Sequence, residues 1–264
     1  MNRAYRSELL KLQRFGVLVV VGLVVTLALL STIIVFVTAS AGAAIAPSDQ
    51  GFSATLIQLA GSNGFTRGFT GGMSVIGLVV YVVVAANMTA EYERGTLRTL
   101  LVQQPRREAL LVGKLLALLT VIGAALLAAL TLTVVAAAIA AHTRGIDTAS
   151  WWTLDGLADA VRAYINAFLS CALFTIAATT VAVLLRSTLV AIAVGVAWLA
   201  PLEHILQQQW PRATRVFPGL IFDAISQGGA PDASYGVALL TAAAYAAVAM
   251  GVALASFRWR DVTA

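Results

Sequence analysis

Charge is scarce in this chain. Asp, Glu, Lys and Arg make up 11% of its 264 residues, where a soluble domain carries about 25%. With 60% of residues hydrophobic and a mean hydropathy of +0.89, a water-facing globular surface is excluded for most of the chain. Cysteine occurs once, at Cys171 inside an apolar run, which excludes an intrachain disulfide and a cysteine-built metal site. No G-x-x-x-x-G-K-S/T occurs: Gly113-Lys114 lacks the upstream glycine and is followed by Leu115. The chain therefore has no P-loop to cradle ATP phosphates. H-E-x-x-H and G-x-S-x-G are also missing, which removes two common routes to hydrolysis. The two histidines, His142 and His204, are far apart and share no ligand set. No catalytic residue, metal site or resident cofactor is expected, and the chain reads as a non-enzyme. Acidic residues deep in the apolar runs are nearly missing, which argues against a proton- or sodium-driven carrier. The net charge is +5, but the cations sit at the ends of apolar runs rather than on a soluble face, so nucleic acid is not an expected partner.

What is present is length of hydrocarbon. A span needs about 20 apolar residues, at about 1.5 Å each through about 30 Å of bilayer core. Six runs qualify: 15–37, 71–90, 115–141, 160–185, 187–206 and 235–257. Transmembrane strands would alternate over about ten residues, whereas these runs are continuous. The expected fold is an all-α membrane protein with six transmembrane helices, forming one permease domain over residues 1–264. The second run is diluted by Asn87 and several glycines, and the fifth is interrupted by Pro201. The third must tilt or emerge from the bilayer. The first is too long for a signal-peptide h-region, so no cleavable leader is expected. The two three-span halves share no alignable motif, which leaves an inverted-repeat carrier unsupported.

Lys and Arg set the direction. With the N-terminus inside, the inner segments hold twelve of the 17 cations: Arg3, Arg6, Lys11, Arg14, Arg94, Arg98, Arg106, Arg107, Lys114, Arg186, Arg258 and Arg260. The outer segments hold Arg67, Arg144, Arg162, Arg212 and Arg215. The positive-inside rule then puts both termini and the segment 91–114 in the cytoplasm. The expected location is the cell membrane, multi-pass, as in a bacterial inner membrane, with lipid as a partner. In residues 1–14, Tyr5, Leu9 and Leu12 recur at helical spacing with Arg3, Arg6, Lys11 and Arg14 on other faces. That fits an amphipathic interfacial helix; plain positive flanking is the alternative.

The segment 91–114, EYERGTLRTLLVQQPRREALLVGK, is the densest polar stretch between two apolar runs. It carries Glu91, Glu93 and Glu108 with Arg94, Arg98, Arg106, Arg107 and Lys114, a set too costly to leave in lipid. Glu91 and Arg94 are three apart and can face each other on a helix. Gly95 breaks that helix, and Thr96 can cap a new one. Leu97, Leu100 and Leu101 give this short helix an apolar stripe, with Arg98 pointing elsewhere. Pro105 can start the next helix, and Lys114 is expected to mark the inner interface by snorkelling. The expectation is a short crosswise helix between two long ones; an ordinary solvated loop is the alternative.

An acidic residue, Gly-Thr, a Leu-rich stretch, Pro-Arg-Arg and Gly-Lys, in that order, resemble the coupling loop of type-2 ABC transporter permeases. LLRSTLVAIAVGV at 184–196 resembles the family's tight inner turn between spans four and five, and FRWRD at 257–261 its basic-acidic C-terminal exit. The resemblance implies the membrane subunit of an ATP-driven exporter, carrying an apolar or amphipathic substrate. It implies two copies of a separate ABC ATPase subunit holding ATP and Mg, and a second permease subunit as homodimer or heterodimer. Glu91 matches the family's acidic position, Gly95 and Thr96 its Gly-Thr, and Lys114 its interfacial lysine. The implied ATPase contact comprises Glu91, Glu93, Arg94, Gly95, Thr96, Leu97, Arg98, Leu100 and Leu101. A gradient-driven carrier of an apolar solute, and a ligand-binding membrane sensor or immunity protein, stand as alternatives.

Asn87, Asn166, Thr175 and Thr179 are the main polar groups within the spans. Two roles stay open for them: helix-to-helix hydrogen bonding, or lining a substrate path. In the first outer loop, 38–70, Gly68 lies four before Gly72, a spacing that lets helices approach closely; a flexible loop is the favoured expectation. Trp151 and Trp152 are expected in the interfacial belt. Residues 201–234 carry Glu203, His204, Trp210, Pro218, Gly219 and Asp223. Short re-entrant helices near the outer exit are expected there, as in the family, with an interfacial loop anchored by Trp210 as the alternative.

Overall fold

The computed structural model describes residues 16–40, 54–95 and 107–259. The expected interfacial helix at 1–14 lies outside the described residues. So do the expected crosswise helix, with Thr96, Leu97, Arg98, Leu100, Leu101 and Pro105, and the Arg260-Asp261 end. The described chain is helical throughout: α1 (Gly16–Thr38), α2 (Leu56–Ala60), α3 (Arg67–Gly71), α4 (Met73–Glu93), α5 (Arg107–Thr143), α6 (Leu154–Leu185), α7 (Thr188–Ala197), α8 (Glu203–Gln209), α9 (Pro218–Ser226) and α10 (Tyr235–Trp259). Among the described residues there is no sheet, only isolated bridges joining Ser40 to Thr55 and Ala230 to Ala233. Six helical rods are long and apolar enough to cross a membrane: α1, α4, α5, α6, the continuous α7–α8 and α10.

The expected six spans are therefore present, with shifted ends. α5 has 37 residues, about 56 Å at 1.5 Å per residue, well beyond the hydrocarbon thickness. The fifth span does not stop at Pro201. Proline lacks an N–H and crowds the preceding turn, but here Trp198–Leu202 widens into a π turn, which absorbs the missing bond. The rod runs on to Gln209. Glu203 and His204 thus belong to the fifth span, not to the connection after it.

In lipid, apolar side chains gain little from meeting each other, so spans pack where small residues let backbones come close. α6 buries Ala163, Ala167, Cys171, Ala178 and Ala182 along one stripe. α4 and α10 pack against this helix, while α1 packs along α5. The outward faces stay apolar: Leu18, Leu189 and Leu240 are 69%, 78% and 77% exposed. Such a surface suits lipid rather than water, and the chain is a multi-pass membrane protein.

Side-chain bonds separate two ends of the bundle. At the Trp151 end, the Trp151 indole N–H donates to the Leu59 carbonyl (2.9 Å) and Gln227 Nε2 to the Thr70 carbonyl (2.8 Å). At the Lys114 end, α4 and α5 meet through Lys114 and Glu91. Two expectations at the Trp151 end are corrected. Trp151 is 3% exposed, wedged between Phe36 and Phe65 at 6.3 and 5.7 Å, and so is no belt residue, whereas Trp152 is exposed. The first outer loop is not a flexible stretch where described. It holds α2, a tight turn at Gly64–Thr66 and α3, and Ser31 Oγ donates to the Gly68 carbonyl. The spacing of Gly68 and Gly72 does serve close approach: a Cβ on Gly68 would lie 2.4 Å from the Thr32 Cα, and one on Gly72 2.8 Å from the Ser31 Cβ.

Gly68→Val is expected to destabilise the bundle by roughly 1–3 kcal/mol through overpacking, read as a lowered melting temperature in detergent. Gly251→Ala, where a Cβ meets nothing within 4 Å, is expected to hold or raise it.

Candidate functional site

Each end of the bundle carries a polar constellation. At the Lys114 end, α4 terminates as the sequence indicates: Gly95 takes φ +66, and its N–H donates to the Tyr92 carbonyl (3.2 Å). The partners of the charged residues differ from expectation. Lys114 does not snorkel. It is 5% exposed, and its ammonium sits 2.9 Å from Glu91 Oε2 and 3.4 Å from the Asn87 carbonyl. Glu91 thus forms a pair between helices, which neutralises a cation held inside the bundle.

Glu93 reaches the turn between α6 and α7. Arg186 adopts a left-handed backbone (φ 55), and its guanidinium lies 5.6 Å from the Tyr92 ring centre. α7 begins at Thr188 after Ser187, which supplies no side-chain cap. Glu93 Oε1 accepts from the Thr188 N–H at 2.8 Å instead, and the Thr89 and Thr188 hydroxyls meet at 2.7 Å. One turn further in, the Tyr81 hydroxyl donates to the Ala191 carbonyl (3.0 Å), its ring filling the gap left by Gly195. Glu91 and Glu93 therefore have intramolecular partners at the base of the 91–114 loop, whereas Arg94 and Gly95 are exposed.

The four polar residues of the spans do not form one site. Thr175 and Thr179 are fully buried and donate back to the Cys171 and Thr175 carbonyls of their own helix, at 2.8 Å each. Asn166 accepts from the Tyr235 hydroxyl at 2.6 Å, tying α6 to α10. Only Asn87 borders open space, a groove of about 540 Å³ between α1, α4 and α5.

The second constellation surrounds a cavity of about 620 Å³ toward the Trp151 end, between α4, α6, the α7–α8 rod and α9. Its polar lining is Ser74, His204, Gln207, Thr214, Asp223 and Gln227, and its apolar wall includes Val75, Leu78, Phe174 and Leu199. Glu203, beside it, explains why α9 sits where it does. A helix start leaves backbone N–H groups without acceptors, and Phe217 offers no side-chain cap to α9. Glu203 Oε2 accepts from the Leu220 N–H at 3.0 Å, a carboxylate at the positive end of the helix dipole. Gly219 is required for that reach, since a Cβ there would lie 2.6 Å from the same oxygen and 2.8 Å from the Leu199 carbonyl.

Asp223, on α9, and His204 face each other across the cavity edge. The carbonyl of Ala200 can only accept, so His204 Nδ1, at 2.7 Å, is the protonated nitrogen. Nε2 then points toward Asp223 Oδ2 at 3.9 Å. Asp223 Oδ1 is buried without a hydrogen-bond partner, and the Ser74 hydroxyl lies near the same carboxylate. Burial pushes the Asp223 carboxyl up to about 6, against the opposing pull of His204. Sequence reasoning missed this set because Ser74, His204 and Asp223 come from three separate elements. Its single visible trace was acidic and imidazole groups in an otherwise apolar stretch. Among the described residues, no group of His, Cys, Asp and Glu is arranged to hold a metal ion.

Glu203→Ala, which strips the acceptor from the α9 start, is expected to cost about 1–2 kcal/mol, measured by thermal unfolding in detergent. Glu203→Gln, whose amide oxygen still accepts, is expected to lose less than half as much. No protein-family model matches the chain, and no curated protein matches it.

Proposed function

We propose that this chain is the membrane subunit of an ATP-driven ABC exporter, moving an apolar or amphipathic substrate. The observation that carries the reading is the Glu91–Lys114 pair, which clamps α4 to α5 at the base of the charged 91–114 loop. Twelve of the 17 Lys and Arg fall on that side of the six spans, so by the positive-inside rule the loop and both termini face the cytoplasm. There the loop meets a soluble ATPase, two copies of which hold ATP and Mg below a pair of permease subunits, identical or homologous. Residues 210–234 are the extracellular or re-entrant part, and the location is the cell membrane of a bacterium. This chain does no chemistry; the ATPase contact uses Arg94, Gly95, Thr96, Leu97, Arg98, Leu100 and Leu101, with Glu91 and Glu93 holding the loop's base. Nucleotide binding pulls on the loop. The clamp passes that displacement to α4, and the Glu93, Thr89 and Tyr81 contacts pass it to α7. Such linkage is a coupling free energy between distant sites.

One observation favours a second reading. Glu203 is fully buried in the fifth span, and Asp223 lies beside His204, and buried ionisable groups at membrane depth serve proton-coupled carriers. That carrier would transport under a pH gradient with no ATPase present.

Co-purification of an ATPase with a P-loop, and ATP-dependent transport in proteoliposomes, test the exporter reading. Glu91→Arg, which sets two cations against each other, is expected to lower substrate-stimulated ATPase activity at least about tenfold. The exchanged pair Glu91→Lys with Lys114→Glu is expected to recover most of it. Unchanged stimulation in Glu91→Arg would remove the clamp from the mechanism.

A further inference from the structure

The cavity of about 620 Å³ near the Trp151 end has a charge character that the exporter reading does not specify. Its volume lies in the range of about 300–1,000 Å³ that holds small organic ligands. No Lys or Arg lines it, and Asp223 is its one carboxylate. The other groups around that carboxylate are the His204 imidazole from α8, the Ser74 hydroxyl from α4 and, behind the wall, the Glu203 carboxylate. An anion would meet the Asp223 carboxylate there, with only the His204 imidazole to set against it. A bare metal ion would find too few ligands in too large a space. Asp223 keeps 17% of its side chain exposed, and His204 Nε2 stands 3.9 Å from Oδ2, beyond hydrogen-bond reach. Val75, Leu78 and Phe174 line the same cavity with hydrocarbon and an aromatic side chain.

We propose that this cavity binds a protonated amphipathic amine, with its ammonium group donating to the Asp223 carboxylate and its apolar body lying on Val75, Leu78 and Phe174. The ammonium supplies the close charge-assisted bond that His204, at 3.9 Å, does not make. A charge-assisted bond of this kind is worth about tenfold in affinity. The hydrophobic wall selects against small hydrophilic amines, which would leave it bare. The site rests on the transport reading only for the amine's fate; binding itself belongs to this chain.

The test uses the purified full chain in lipid nanodiscs, with no ATPase added and empty nanodiscs subtracted. The probe is dansylcadaverine, a fluorescent primary amine, compared with its N-acetyl derivative, which has the same apolar body and no charge. Saturable binding of the amine is expected at neutral pH, with the acetylated form at least about tenfold weaker, the equivalent of one charge-assisted bond. Asp223→Asn is expected to weaken the amine about tenfold and leave the acetylated form unchanged. Gln207→Lys, at an exposed position on the cavity rim, is expected to do the same by repulsion, and decides the matter should Asp223→Asn misfold. Affinity for the amine is expected to fall as pH drops through about 6, where Asp223 takes up its proton. Equal binding of both probes, or variants that both bind the amine like the wild type, overturns the site. Either result leaves the exporter reading untouched, because ATPase association is measured separately. Loss of ATPase association would equally leave the amine site standing.

Discussion

A helix start leaves N–H groups that need acceptors, and two glutamates meet that requirement here from neighbouring elements, Glu203 buried and Glu93 exposed. Glu203 accepts from Leu220 at the start of α9, and Glu93 from Thr188 at the start of α7. Neither helix carries its own side-chain cap. At the buried start of α9 an unpaired N–H would be costly, so Glu203 fixes the position of that helix; at α7 the Glu93 bond is exposed and water competes for it. The Glu203 contact sets α9 against the α7–α8 rod, demands glycine at position 219 and thereby presents Asp223 to the cavity. The Glu93 contact ties the α6–α7 turn to the end of α4.

α4 joins these two consequences. Its 21 residues extend about 30 Å, from Ser74 at the cavity to Glu93 beside the charged loop. Between them, Tyr81 inserts over Gly195 and donates to Ala191. Glu93 and Thr89 meet α7 at Thr188 and Tyr81 meets it at Ala191, which ties α4 to that neighbour as a rod. In the exporter we propose, that rod is the mechanical path from ATPase to substrate, and α9 rides on the same neighbour through Glu203. The buried Lys114–Glu91 pair extends the connection to α5. Ion pairs of this kind contribute more to a defined arrangement than to net stability, because desolvation offsets much of their attraction.

How much was legible beforehand depended on whether a feature is local. The six spans follow from hydropathy, because a bilayer imposes one length on every helix crossing it. The end of α4 at Gly95 was legible for the same reason, as was the tight turn at Arg186 and Ser187. Pro201 misled, since its effect depends on whether the helix can widen into a π turn, and that depends on what packs around it. Trp151 misled too: a tryptophan next to a span suits the interface, yet Phe36 and Phe65 come from elsewhere to enclose it. Lys114 is buried against Glu91, a partner on the preceding helix that spacing along the chain did not reveal. Of the candidate path residues, Thr175 and Thr179 satisfy themselves on their own helix, an outcome open to any threonine in a span.

The amino-acid sequence by itself determined the class of protein, the number of crossings and the concentration of cations at one set of span ends. These depend on composition and on spacing along a single strand of chain, against a solvent that treats all segments alike. Only the tertiary structure decided which carboxylate caps which helix, that Lys114 meets Glu91, and that Ser74, His204 and Asp223 share one cavity. Those pairings join residues separated by tens of positions. They form because each buried polar group must find a partner among whatever the packed helices bring within about 3 Å of it.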